Sequence, residues 1–141
     1  MSLDTGAMLI VGVPFYDVIK EESRSLVETR YDNKTGEPYD HTTTESIWIL
    51  NGKEYPGRLD AVVALEQLTQ AYIHSTGQGH DDDLVGAAVD SPAGGWGISC
   101  GNTEGHSLTD LSVIMDAVKA KLVSVGCQTD PLVYVQCWVS V

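Results

Sequence analysis

The chain has 141 residues, enough for one domain with a sizeable core, so folding requires no metal, cofactor or disulfide. Its formal net charge is -12, from 8 basic and 20 acidic residues spread along the chain, and such a field repels phosphate backbones and anionic lipid. Nucleic-acid and membrane-surface binding are therefore excluded as expected roles. With 43% apolar and 20% charged residues the composition is globular and not disordered.

Taken in order, residues 1–7 read as an added leader and are left out of the fold, which is expected to be a single domain over 8–141. Met8 to Phe15 is apolar on both alternating sets, the pattern of a strand covered on both faces. Residues 17–24 are charged and read as a solvated connection or a short helix. Ser25 to Asp32 and Pro38 to Leu50 flank Asp32-Asn33-Lys34-Thr35-Gly36, whose residue types suit a tight turn, and so predict a long β-hairpin. Asn51-Gly52 predicts a second turn, with Lys53 to Tyr55 returning until Pro56-Gly57 stops them.

A helix is predicted from about Asp60 to Thr76. Its stripe is Ala61, Ala64, Leu65, Leu68, Ala71 and Tyr72, and Gly77 closes it. Leu84 to Val89 is apolar on both faces and reads as a central strand. Ser91 to Gly95 is a turn and Trp96 to Cys100 a returning strand. Ser107 opens a second helix, with Asp110 in the capping-box place and a stripe of Leu108, Leu111, Met115, Val118, Leu122 and Val125. Leu132 to Val141 is the last strand. Val133, Val135, Cys137, Val139 and Val141 occupy one face; Leu132, Tyr134, Gln136, Trp138 and Ser140 occupy the other.

From residue 46 onward the order is strand, helix, strand, strand, helix, strand. That order predicts an α+β two-layer sandwich: a mostly antiparallel sheet with two helices on one face. Its core would be ferredoxin-like, βαββαβ, with the N-terminal strand and the long hairpin as additions.

Several constellations carry candidate chemistry. Gly97-Ile98-Ser99-Cys100-Gly101 matches the nucleophile-elbow spacing, but the helix it needs begins several residues late. Cys100 and His106 form a candidate thiolate–imidazole pair near a helix start, which lowers a thiol pKa, with Glu104 to orient the ring. His80, Asp81 and Asp83, with His74 and Asp90 nearby, are ligand types for a divalent metal, although adjacent residues of an extended segment point apart. Gly94, Gly95, Trp96 and Ser107, in a glycine-rich approach to a helix N-terminus, are candidate ligand-binding residues together with Tyr134 and Trp138. That approach has no Lys or Arg, so a phosphate there would depend on backbone amides or on Arg24 and Arg30.

The Tyr134 and Trp138 face offers apolar area with hydrogen-bonding tips, the composition of an interface. The leading expectation is a homo-oligomer, most simply a dimer, that captures a small molecule or a protein partner. The second is a small hydrolase-type enzyme using Cys100 and His106 or a metal near His80. The third is an acidic inhibitor of a basic target site. The odd count of three cysteines argues against a disulfide framework. No window approaches the length of a membrane span and no signal peptide is visible, so a cytoplasmic compartment is expected.

Overall fold

Backbone pairing sorts the strands into two antiparallel sheets. The structure is a computed structural model; it describes residues 4–77, 82–89 and 107–140, with side chains described over 9–77, 82–89 and 107–137. The first sheet contains β1 (Asp4–Pro14), β5 (His74–Thr76), β6 (Leu84–Ala88) and β7 (Leu132–Ser140), in the order β5-β6-β1-β7. The second contains β2 (Ile19–Tyr31), β3 (Pro38–Leu50) and β4 (Lys53–Tyr55), in the order β2-β3-β4. A 3-10 turn at Phe15–Asp17 carries β1 into β2. The helices are α1 (Arg58–Leu68) and α2 (Leu108–Ser124).

β1 lies inside its sheet because it is apolar on both faces. Ile10 and Val11, on opposite faces, are both fully buried. β6 pairs along one side of β1, from Ile10↔Ala88 to Pro14↔Leu84, and β7 along the other, from Asp4↔Ser140 to Gly12↔Leu132. Gly12 opposes Gly86, and a Cβ built on Gly12 would lie 2.2 Å from the Val85 carbonyl oxygen, so the two backbones approach too closely for any side chain. Both helices pack on the face that carries Val11, Val13, Val85 and Ala87. α1 contributes Ala61 and Leu65; α2 contributes Val118 and Leu122. The roots of the second sheet, Ile19 and Leu50, complete this core with Phe15. No helix among the described residues is long and apolar enough to cross a membrane.

The α+β composition, the antiparallel pairing and the two helices agree with expectation. The strand order differs from the ferredoxin-like one. β3, expected to lead that core, belongs to a separate sheet with β2 and β4, while β1, expected as an addition, lies between β6 and β7. The physical reason is the chemistry of the strands. A strand with two apolar faces requires neighbours on both edges, whereas the Thr- and Glu-rich length of β3 has little to bury. β1 also begins at Asp4, so residues 4–7 are in its ladder with β7. Trp96–Cys100, expected as a strand, lies outside the described residues.

α1 ends at Leu68, well before Thr76. Thr69 Oγ donates to the Leu65 carbonyl at 2.9 Å, and Gln70 and Ala71 adopt left-handed φ of 55° and 59°. Those two residues reverse the chain, bury Ile73 and send His74–Thr76 along β6 as an edge strand. α2 follows its expected limits, although Leu108, expected in its apolar stripe, is exposed. Ser107 Oγ accepts from the Asp110 amide at 3.1 Å and the Asp110 carboxylate accepts from the Ser107 amide, a complete capping box.

Candidate interaction surface

The feature that sets this molecule apart is the length of β2 and β3. They pair without interruption from Ile19↔Leu50 to Tyr31↔Pro38, yet burial stops almost at the root. Beyond Glu22 and Ile47 the ribbon continues for about 30 Å, at a rise of about 3.4 Å per residue. Over that length no side chain is buried. This arm begins in β2 at residues 20–24, part of the 17–24 segment whose charge predicts a solvated connection or a short helix. Lys20, Glu22, Arg24, Glu28 and Arg30 fall at even positions and so on one strand face, with Glu21 on the other.

Side chains alternate across the ribbon, so its two faces have different chemistry. One face carries Ser23, Ser25, Val27 and Thr29 beside Thr42, Thr44 and Ser46, with charge only at its ends, Glu21 opposite Trp48 and Asp40 opposite Thr29. Val27 is 63% exposed. At the root this face runs into Trp48 and Leu50 and so into the core. The other face is charged. Arg24 donates to Glu22 at 3.2 Å and to both carboxylate oxygens of Glu54, one at 3.0 Å, and Arg30 pairs with Glu28 at 3.5 Å. The Arg24 contact holds the Glu54 carboxyl below its ordinary pKa, and the carboxylates raise that of Arg24. At the tip, Asp32 Oδ1 accepts from the amides of Lys34 at 2.7 Å and Thr35 at 3.1 Å, which holds the Asp32 carboxyl below its ordinary pKa.

The arm is anchored by a cation among aromatic rings. Arg58, the first residue of α1, places its guanidinium 3.8 Å from the Phe15 ring centroid, 5.5 Å from Trp48 and 5.9 Å from Tyr16. Its Nη2 donates to Asp83 Oδ2 at 2.5 Å. Asp83 immediately precedes β6, its carbonyl accepts from the Phe15 amide at 2.8 Å, and its carboxylate packs against Gly77, where φ is +117°. One guanidinium thus ties the arm root, the turn after β1, the start of α1 and the entry to β6. Sequence reasoning did not find Arg58, because its partners come from three distant segments.

The candidate residues named from sequence fall as follows. Cys100, His106, Gly94, Gly95, Trp96, His80 and Asp81 lie outside the described residues. Asp83 is buried and engaged by Arg58. Ser107 caps α2. His74, another possible ligand, lies 3.3 Å from Glu66 Oε1. Arg24, considered as a phosphate partner, is held on the arm by Glu22 and Glu54. Tyr134 packs with Ile10 and Leu84, half-buried, and Trp138 opposes Gly6 in the β1–β7 ladder. The exposed valines of β7 are on the other face: Val135 is 69% exposed although it shares the helix side of the sheet with Val11, because the helices cover β1 and β6 and stop short of the edge. The face expected to be left for partners is therefore the more covered of the two at Tyr134. No protein-family model, no curated protein and no solved structure matches this chain.

Proposed function

We propose that this chain is a protein-interaction module whose recognition element is the β2–β3 arm. The observation that carries this reading is a paired ribbon about 30 Å long, with neither face buried, rigidly rooted at Arg58 and Trp48. An isolated two-stranded hairpin is marginal in water and contributes nothing to the core of the body. Among the described strands its outer edges present unpaired backbone donors and acceptors, which is the chemistry of strand addition by a protein partner. The acidic field of the chain disfavours nucleic acid as that partner.

Hydrogen exchange on a dilute sample tests the reading, with a variant in which residues 23–46 are replaced by a short Asn-Gly turn. Amides of 23–31 and 38–46 are expected to exchange orders of magnitude faster than those of β1 and β6, and the shortened variant to keep the melting temperature of the body. If the arm amides are as protected as the β1 amides at every dilution, or if shortening the arm unfolds the body, the arm is a structural part of the fold and the reading fails.

A further inference from the structure

β2 is at the end of its sheet, so its outer edge is unpaired among the described strands over 13 residues. Its charged face has an uncommon order: Lys20, Glu22, Arg24, Leu26, Glu28, Arg30, followed by Asp32 just past the strand end. Read outward from Leu26 in both directions, every charge has an opposite charge at the same distance. Arg24 answers Glu28, Glu22 answers Arg30, and Lys20 answers Asp32.

We infer that the occupant of this edge is a second copy of the chain, paired antiparallel through the same strand about a two-fold axis at Leu26. The inference rests on the arm being a recognition element and names its partner. In that register Arg24 lies opposite Glu28 of the second copy, Glu22 opposite its Arg30, and Lys20 opposite its Asp32, each contact occurring twice by symmetry. Leu26, 42% exposed in the single chain, meets its own counterpart. On the other face Ser25 meets Val27 and Ser23 meets Thr29, with no like charges. The two hairpins become one four-stranded sheet, in the order β3-β2-β2-β3, and an exposed ribbon becomes the inside of a larger sheet.

The same pattern rejects the neighbouring registers. A slip of two residues one way places Lys20 opposite Arg30 and Glu22 opposite Glu28. A slip the other way places Glu22 opposite Asp32 and Arg24 opposite Arg30. A slip of four residues brings Arg24 against Arg24, or Glu28 against Glu28. A slip of one residue opposes the charged face with the Ser- and Thr-rich one. Each copy carries a net charge of -12, so self-association is resisted everywhere except where charges are matched, and this edge supplies such a match.

Sedimentation equilibrium of the full chain over a wide concentration range tests the inference, with Arg30→Glu, Glu22→Arg and the double variant. These side chains are exposed, and an unchanged melting temperature for each variant verifies its fold. The wild type is expected to dimerise reversibly. Each single change turns two attractive contacts into repulsive ones and weakens the dimer by about tenfold. The double variant E22R/R30E restores opposite charges and recovers the affinity. An equimolar mixture of the two single variants also recovers it, as a heterodimer, an outcome that a purely local effect of either substitution does not produce. A dimer indifferent to both single changes, or one not rescued by the swap, overturns the inference. A monomer at all concentrations whose arm amides exchange rapidly overturns it too but leaves the arm as a recognition element for another protein. A monomer whose arm amides are as protected as those of β1 sinks both readings.

Discussion

The body and the arm are built from the same backbone pairing and held by different forces. In the body, β1 and β6 bury both faces under helices and neighbouring segments, so each paired backbone group is backed by removal of apolar surface from water. In the arm the pairing is just as regular, but its side chains stay hydrated and its ion pairs are exposed, so each contributes little. Regular hydrogen bonding is therefore no measure of local stability. Burial is, and it divides this molecule near Glu22 and Ile47.

The largest expected effect lies where the two regions meet. Phe15→Ala removes a fully buried ring that touches Arg58 and packs edge-on to Trp48, and is expected to cost about 3–5 kcal/mol in chemical denaturation. A loss under about 1 kcal/mol would mean that the core does not extend to the arm root. Next is Asp83→Ala, which leaves the partly accessible Arg58 guanidinium without its carboxylate. It is expected to cost about 2–3 kcal/mol, and the double variant Arg58→Met/Asp83→Ala to cost less than the sum of the single changes. Strict additivity would break the assignment of Arg58 as the tie between arm and body.

The smallest effect belongs to the arm tip and is read by pH. The folded Asp32 carboxyl is held below its ordinary value by the Lys34 and Thr35 amides. Its contribution to the turn is therefore complete above the ordinary carboxylate pKa of about 3.9 and fades as pH falls through the lowered value. The Lys34 and Thr35 amide resonances should titrate together with a midpoint below about 4, while the resonances of β1 do not follow. A midpoint at or above the ordinary value would show that the tip turn is not formed as described.

Local signals in the sequence were faithful where the structure is local. The turns at Asp32–Gly36 and Asn51-Gly52, the capping box of Ser107 and Asp110, and the buried stripe of Val118, Leu122 and Val125 were all legible, because each is decided within a few residues. The end of α1 was not, because a helical stripe through Ala71 and Tyr72 competes with the burial of Ile73 and with the need of β6 for a neighbour. The first half of β2 was missed because a charged segment without apolar alternation, here the consecutive Lys20, Glu21 and Glu22, resembles a loop. The interface expectation on Tyr134 and Trp138 rested on the composition of that face and on both helices lying on the other; Tyr134 packs with Ile10 and Leu84, and Val133 and Val135 on the helix side are the exposed residues.

By itself the sequence determined the α+β composition, the two hairpin turns and the limits of α2, since propensity, capping and period act over short distances. Only tertiary structure decided that β1 is central, that Arg58 meets Asp83 among three rings, and that the long hairpin stands away from the core. Those outcomes depend on which apolar faces find cover, and cover comes from segments far apart in the chain.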